Sequence, residues 1–431
     1  MLRLLDFTEL DGGYRALMPR PEFNVENALE TVRPLVADVA DRGVEALKHY
    51  TQLFDHVQID NFRVPKQAME DALANLDPEL RAAFETAIAR RRLVAEAELG
   101  ESEVDTVLGE GATVTTRTVP LSRVGVYVPG GLAPLASSVL MNVIPAQAAG
   151  VGEIALASPP GPDGLPNSGT LAMCALLGID EVYAVGGAQA IAMFAYGAEG
   201  LCEAVDLISG PGNIYVVAAK RLVRPVVGID SEAGPTEIMV IADADANPAF
   251  VAADLISQAE HDPMAGSVLV TDSAAFLAEV EKELEAQVAA TKHNARVTQA
   301  LSGQQSAAIL VRSLGQAVQV ADAYGAEHLE IQTADARVLA SQIHNAGAIF
   351  VGPYSPVPLG DYTAGSTHVL PTLGTARYSS GLTARSFVKT VHVIEYTETG
   401  LGEVAGVIEA FGAAEDLPAH AFAATVRRRD V

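Results

Sequence analysis

VGVYVPGG at residues 124–131 is a β-branched run that stops in a proline–glycine loop, and its recurrence decides the fold. Downstream, EIALAS (153–158), EVYAVG (181–186), AVDLISG (204–210) and EIMVIAD (237–243) repeat the pattern with alanine-rich helical segments between them. Parallel strands need a long crossover connection, so strand then helix several times over predicts a parallel α/β sheet. SVLVT (267–271), AAILV (307–311) and AIFVG (348–352) bring the texture back, and two α/β units are expected. Upstream, residues 24–100 carry apolar residues at three-and-four spacing and read as helices. The last fifty residues lack the strand–glycine–helix rhythm and end in ATVRRRDV. They read as a helical appendage that must dock on something, a partner subunit being one candidate.

Composition narrows the function classes. With 431 residues the chain is long enough for two or more domains, and 49% hydrophobic residues supply packed cores. Its 28 Lys plus Arg stand against 54 Asp plus Glu, a formal charge of −26. Phosphate backbones and anionic membranes are repelled on average, so neither nucleic acid nor a membrane surface is an expected partner. Only Cys174 and Cys202 are present, without CxxC spacing, which fits a reducing compartment. The N-terminal MLRLLDFTELDGGYR spreads charges every few residues and builds no apolar signal core, so a cytoplasmic location is expected. The long uncharged stretch 124–152 is interrupted by prolines, Asn142 and Gln147 and reads as strand, loop and helix rather than a membrane span.

Several motifs could carry chemistry. No GxGxxG is present, but DLISGPGN (206–213) leads into the helix-like IYVVAAKRLV, a tight turn whose free N–H groups could face a pyrophosphate. A turn needed only for chain reversal explains the same residues. VGVYVPGG and GGAQ (186–189) are two more glycine loops at strand ends, where ligands sit in open α/β sheets. In NPAFVAADLISQAEHD (247–262), Asn247 and Pro248 start a helix whose apolar face is Phe250, Val251, Leu255 and Ile256. Asp254, Gln258 and His261 then share the opposite face, and Gln258 and His261 at i and i+3 could chelate one metal ion. An ordinary solvated helix face is the competing reading. Glu327-His328 in YGAEHLEI places a carboxylate beside an imidazole; adjacent side chains diverge, so a common target requires an element's end or a turn. Asp361 and His368 share GDYTAGSTHVLPT, which holds no other charge, and His420 lies in EDLPAHAF, five residues after Glu415. Imidazoles, a carboxylate and an amide oxygen suit Zn²⁺ or Mn²⁺ rather than Ca²⁺.

Together with SSVLMNVIPAQAAGV, GIDSEAGPTE and GAIFVG, these motifs stand in an order and spacing that resemble the histidinol dehydrogenase family, from about residue 25 to 425. The resemblance implies two incomplete Rossmann-like parallel-sheet domains, a small N-terminal arm (1–22) and a helical C-terminal segment (379–431) that reaches the partner of a homodimer with a shared active site. It groups 23–122 with 237–378 as the larger domain carrying the metal, and makes 123–236 the NAD-binding domain. It implies one Zn²⁺ per subunit on Gln258, His261, Asp361 and His420, and Glu327 with His328 as the acid–base pair. Substrate contacts fall on Thr236, Gln258, His261, His328, Asp361, His368, Glu415 and His420, and NAD contacts on Tyr127, Gln189 and Asn213. Thr236 stands where the family often has serine, which keeps a hydroxyl. The implied reaction is oxidation of L-histidinol through L-histidinal to L-histidine with two NAD⁺. The alternative is a paralogous zinc- and NAD-dependent dehydrogenase of another small polar alcohol, such as a sulfonated propanediol. Neither cysteine has a neighbour in sequence that would lower its pKa, so the second oxidation is expected to pass through the aldehyde hydrate rather than a thiohemiacetal.

Overall fold

The computed structural model describes residues 1–130 and 135–428. Gly131, the last residue of VGVYVPGG, and the final three residues of the C-terminal segment lie outside them. Every β-branched run named above is a strand. Four of them, Arg123–Tyr127, Glu153–Ser158, Val182–Ala184 and Leu207–Ser209, form one wholly parallel sheet with the short strand Gly228–Ile229, which the sequence reading did not name. Numbered within that unit, the strands lie in the order 3-2-1-4-5, the doubly wound arrangement short of its sixth strand.

A second parallel sheet repeats that order with Glu237–Ala242, Gly266–Thr271, Ala307–Leu310, Ala326–Gln332 and Ala346–Val351. Arg3–Asp6, read from sequence as part of an arm, adds a sixth strand beside Ala307–Leu310. The strand Ala326–Gln332 carries Glu327 and His328 and is buried at all seven positions. A third, antiparallel sheet of Glu103–Gly109, Ala112–Pro120 and Val388–Tyr396 was not legible in the glycine-loop rhythm. The C-terminal segment therefore passes through a short 3-10 turn, Ala384–Phe387, and a nine-residue strand before its α-helices Glu398–Ala414 and Pro418–Thr425.

The early helices bury their apolar stripes on the five-stranded sheet. Val32, Val36 and Val39 of helix Val25–Arg42 join a core with Ala157, Ile191 and Val217. On that sheet's other face, Ala87, Ile88 and Ala95 of helix Pro78–Leu99 pack with Val126, Leu140 and Leu156. Helices of the segment 23–122 thus pack on the sheet of 123–236, and Arg90 and Arg91 of helix Pro78–Leu99 also donate to the carbonyls of Thr363 and Gly365. Two further cores cover the faces of the six-stranded sheet, one of them closed by Phe7 and Tyr14 from the N-terminal residues. Among the described residues no helix is long and apolar enough to cross a membrane.

Candidate active site

A cavity of about 160 Å³ lies between the carboxyl ends of the five-stranded sheet and the amino ends of the six-stranded one. Pro211 and Gly212, just past Leu207–Ser209, form one wall; Thr236, Glu327 and His328, at or just before the starts of two neighbouring strands, form another. His261, Asp361 and His368 also line it. Six residues expected at the site therefore converge from positions as far apart as Thr236 and His368, through parallel pairing of Glu237–Ala242 with Ala326–Gln332.

Asn247 caps helix Pro248–Ala259 by accepting from the Ala249 N–H at 2.9 Å, as its sequence requires. The competing reading of a solvated face does not hold: Gln258 and Asp254 are enclosed, while Phe250, expected on the apolar face, is 40% exposed. The helix ends at Ala259, so His261 stands in the following turn and reaches the cavity from there. Gln258 Nε2 donates to Thr236 Oγ at 2.6 Å, and Thr236 in turn donates to Glu327 Oε2. Gln258 Oε1 is buried without a hydrogen-bond partner. A buried acceptor left open in this way is compatible with a cation ligand.

Glu327 Oε2 also accepts the Glu237 N–H at 2.9 Å. Burial pushes this carboxyl well above the usual range; the Thr236 and Glu237 bonds oppose that, and the negative charges of Glu237 and Asp361 reinforce it. His328 is pushed down to about 3, first by burial and then by His261, against an opposing hydrogen bond to Glu237. Its Nδ1 lies 3.3 Å from the Glu237 carbonyl, an acceptor only, so Nδ1 carries the proton and Nε2 keeps its lone pair. Nδ1 is also 3.7 Å from Glu327 Oε2, which brings the adjacent pair into one environment at the strand's start. Asp361 is raised by desolvation and drawn down by His261, which marks those two as neighbours.

Two hydroxyls that sequence reasoning left without roles also belong here. Ser138 Oγ stands 3.3 Å from His368 Nε2, and Thr372 Oγ accepts the Gly234 N–H at 2.6 Å. Both lie inside motifs already quoted, SSVLMNV and THVLPT, but hydroxyls among apolar residues carry no distinctive spacing. Glu415 and His420 are exposed on the C-terminal helices and do not line the cavity. Within the described residues of one chain, no three His, Cys, Asp or Glu side chains group so as to hold a metal.

The residues assigned to NAD share the carboxyl end of the five-stranded sheet. Tyr127 ends the first strand and its hydroxyl accepts the Gly187 N–H at 2.9 Å. Gln189 lies in the first turn of helix Gly187–Tyr196, whose N-cap glycine offers no side-chain bond. Asn213 caps helix Ile214–Val223 through Tyr215 N and Val216 N. Neither cysteine is activated: burial pushes Cys174 up to about 12 and also raises Cys202, although Arg123 approaches its Sγ at 4.0 Å.

A family model described as histidinol dehydrogenase matches residues 18–428. Histidinol dehydrogenase of Cutibacterium acnes is 57% identical, with 99% of this chain and all of that protein covered. The Thermobifida fusca enzyme of the same name is also 57% identical, with 96% of this chain and 94% of that one covered. A crystal structure of histidinol dehydrogenase from Elizabethkingia anophelis superposes with a TM-score of 0.94 at 34% identity, over 99% of this chain and 98% of that one.

Proposed function

Because the chain belongs to the histidinol dehydrogenase family, we propose that it oxidises L-histidinol through L-histidinal to L-histidine with two NAD⁺, using a zinc site shared across a homodimer. The observation that carries this reading is the single cavity joining Glu327 and His328 to His261 and Asp361, opposite a glycine loop at the switch point of a doubly wound sheet. When bound, Zn²⁺ on Gln258, His261, Asp361 and the partner's His420 supplies an anchor for the substrate's imidazole and amine, and NAD⁺ supplies the hydride acceptor. The open Gln258 oxygen and the Asp361–His261 pairing fit that ion.

The chain's own groups account for the protons. His328 is neutral near pH 7, and its free Nε2 takes the alcohol proton in the first oxidation. The Glu237 carbonyl, bonded to Nδ1, steadies the imidazolium that results. In the second oxidation Glu327 activates water for hydration of the aldehyde. Burial raises its proton affinity, and the Thr236 and Glu237 bonds oppose that shift and favour the ionised form in which it takes a proton from water. A cysteine route has no ionised thiol to start from. Glu415 and His368 are assigned to substrate contact, and Tyr127, Gln189 and Asn213 to NAD.

The test is the yield of NADH from limiting L-histidinol with excess NAD⁺ and added Zn²⁺, before and after chelation. Two NADH per histidinol, lost with the chelator, is the expected result. No NADH from histidinol with zinc bound would move the chain to another polar alcohol.

A further inference from the structure

Lys220 and Asp230 form a buried ion pair that the reaction above does not use. Their side chains are 4% and 3% exposed, with Nζ 2.6 Å from Oδ1. Both grip the same residue. Asp230 Oδ2 accepts the Gly210 N–H at 2.8 Å, and Lys220 Nζ donates to the Gly210 carbonyl. Asp230 Oδ1 also accepts the Ser231 N–H at 2.6 Å. Gly210 itself sits at φ +117°, and a Cβ there would fall 1.9 Å from the Tyr127 carbonyl oxygen. The two strands flanking the switch point are thus pressed together at this residue, and the polypeptide leaves it as Pro211-Gly212 along the cavity wall.

We infer that the Lys220–Asp230 pair is a positioning device that presets the Gly210–Asn213 loop for the dinucleotide. The inference rests on the NAD⁺ reading above and adds two residues to it. A buried ion pair contributes little net stability compared with apolar residues of similar size, because desolvation offsets the attraction. Its remaining hydrogen bonds here go to the N–H and C=O of Gly210, at the root of the loop, and to the N–H of Ser231. Fixing that geometry before binding removes an ordering cost that the cofactor would otherwise meet. Lys220 and Asp230 touch no reacting atom, and their effect is carried by the loop.

The test compares NADH binding, followed by its fluorescence, and steady-state constants in the zinc-loaded wild type and in Lys220→Met/Asp230→Leu, which removes both charges together. The expected result is a rise of about tenfold or more in the Kd for NADH and the KM for NAD⁺. The KM for L-histidinol, the zinc content and kcat at saturating NAD⁺ should stay near wild type, a split that general loss of structure does not produce. A folded double variant with unchanged NADH affinity overturns the inference while leaving the NAD⁺ reading intact. Failure of the wild type to bind NADH overturns that reading instead. If the double variant does not fold, Asp230→Asn serves; it keeps an acceptor for Gly210 and removes the charge. A raised KM for NAD⁺ at unchanged kcat is then expected, and an unchanged KM overturns the inference.

Discussion

His328 shows how one backbone carbonyl decides a side chain's chemistry. With Nδ1–H aimed at Glu237 O, only Nε2 is available as a base, and burial keeps the ring neutral. Glu327, one residue earlier, is held by Thr236 and Glu237. The sequence made the pair visible through its adjacency, and the requirement that adjacent side chains need an element's end is met at the second and third positions of a strand. The hydrogen bonds that tune the pair could not be read in advance, because Glu237 lies ninety positions away and acts through its main chain. Glu327→Gln keeps both acceptor contacts possible but removes the base. It should retain zinc and the first oxidation, and slow the second by roughly a hundredfold or more. Rapid-quench analysis should then find histidinal accumulating after one NADH; two NADH released at the wild-type rate would remove Glu327 from the hydration step.

The strand Ala326–Gln332 was the least legible element for its importance. Glu327, His328 and Glu330 break the apolar run that marks its neighbours, yet all three are buried. The antiparallel sheet was missed for the opposite reason, since Glu103–Gly109 and Val388–Tyr396 are largely exposed and the latter pairs with Ala112–Pro120 across 268 or more positions. Glu330 finds its partner on the neighbouring helix: it shares a hydrogen bond with Asp254, while Gln332 Nε2 donates to Asp254 at 2.8 Å and to Glu330 at 3.1 Å. The helix carrying Gln258 is thereby tied to the strand carrying His328. Burial and the Asp254 charge raise Glu330 well above the ordinary carboxyl range, so the folded protein keeps a proton that the unfolded chain has released. Stability from this group is therefore full below the unfolded carboxyl pKa and declines as pH rises towards the folded one. The limiting slope is about 1.4 kcal/mol per pH unit per proton. Glu330→Gln holds no titrating proton, so urea unfolding between pH 6 and 9 should show a flatter decline than wild type. Equal slopes would mean that Glu330 is ionised in the fold.

Across the whole molecule, the two sheets use opposite ends for one cavity. The carboxyl-end rule leads from sequence to the loop after Leu207–Ser209, whose Pro211 and Gly212 line the cavity, but Thr236, Glu327 and His328 lie at the amino ends of the other sheet, where that rule does not look. The chain's passage between sheets through residues 230–236, with contacts such as Ser138 to His368 and Arg91 to Gly365, brings the two together. The same scale explains why His420 is absent from the cavity of one chain. It sits on a C-terminal extension that exposes large apolar groups, Phe411 at 64% and Ile394 at 68%, a surface suited to burial against another subunit. If His420 completes the site of its partner, a His420→Ala chain and a His261→Ala chain are each inactive alone, but a heterodimer contains one intact site. Random pairing makes half the dimers mixed, with one working site in two, so refolding equal amounts together should restore roughly a quarter of wild-type activity. Zinc should recover in the same proportion as activity. Sedimentation showing that the mixed dimer forms while neither zinc nor activity returns would place the whole metal set within one chain.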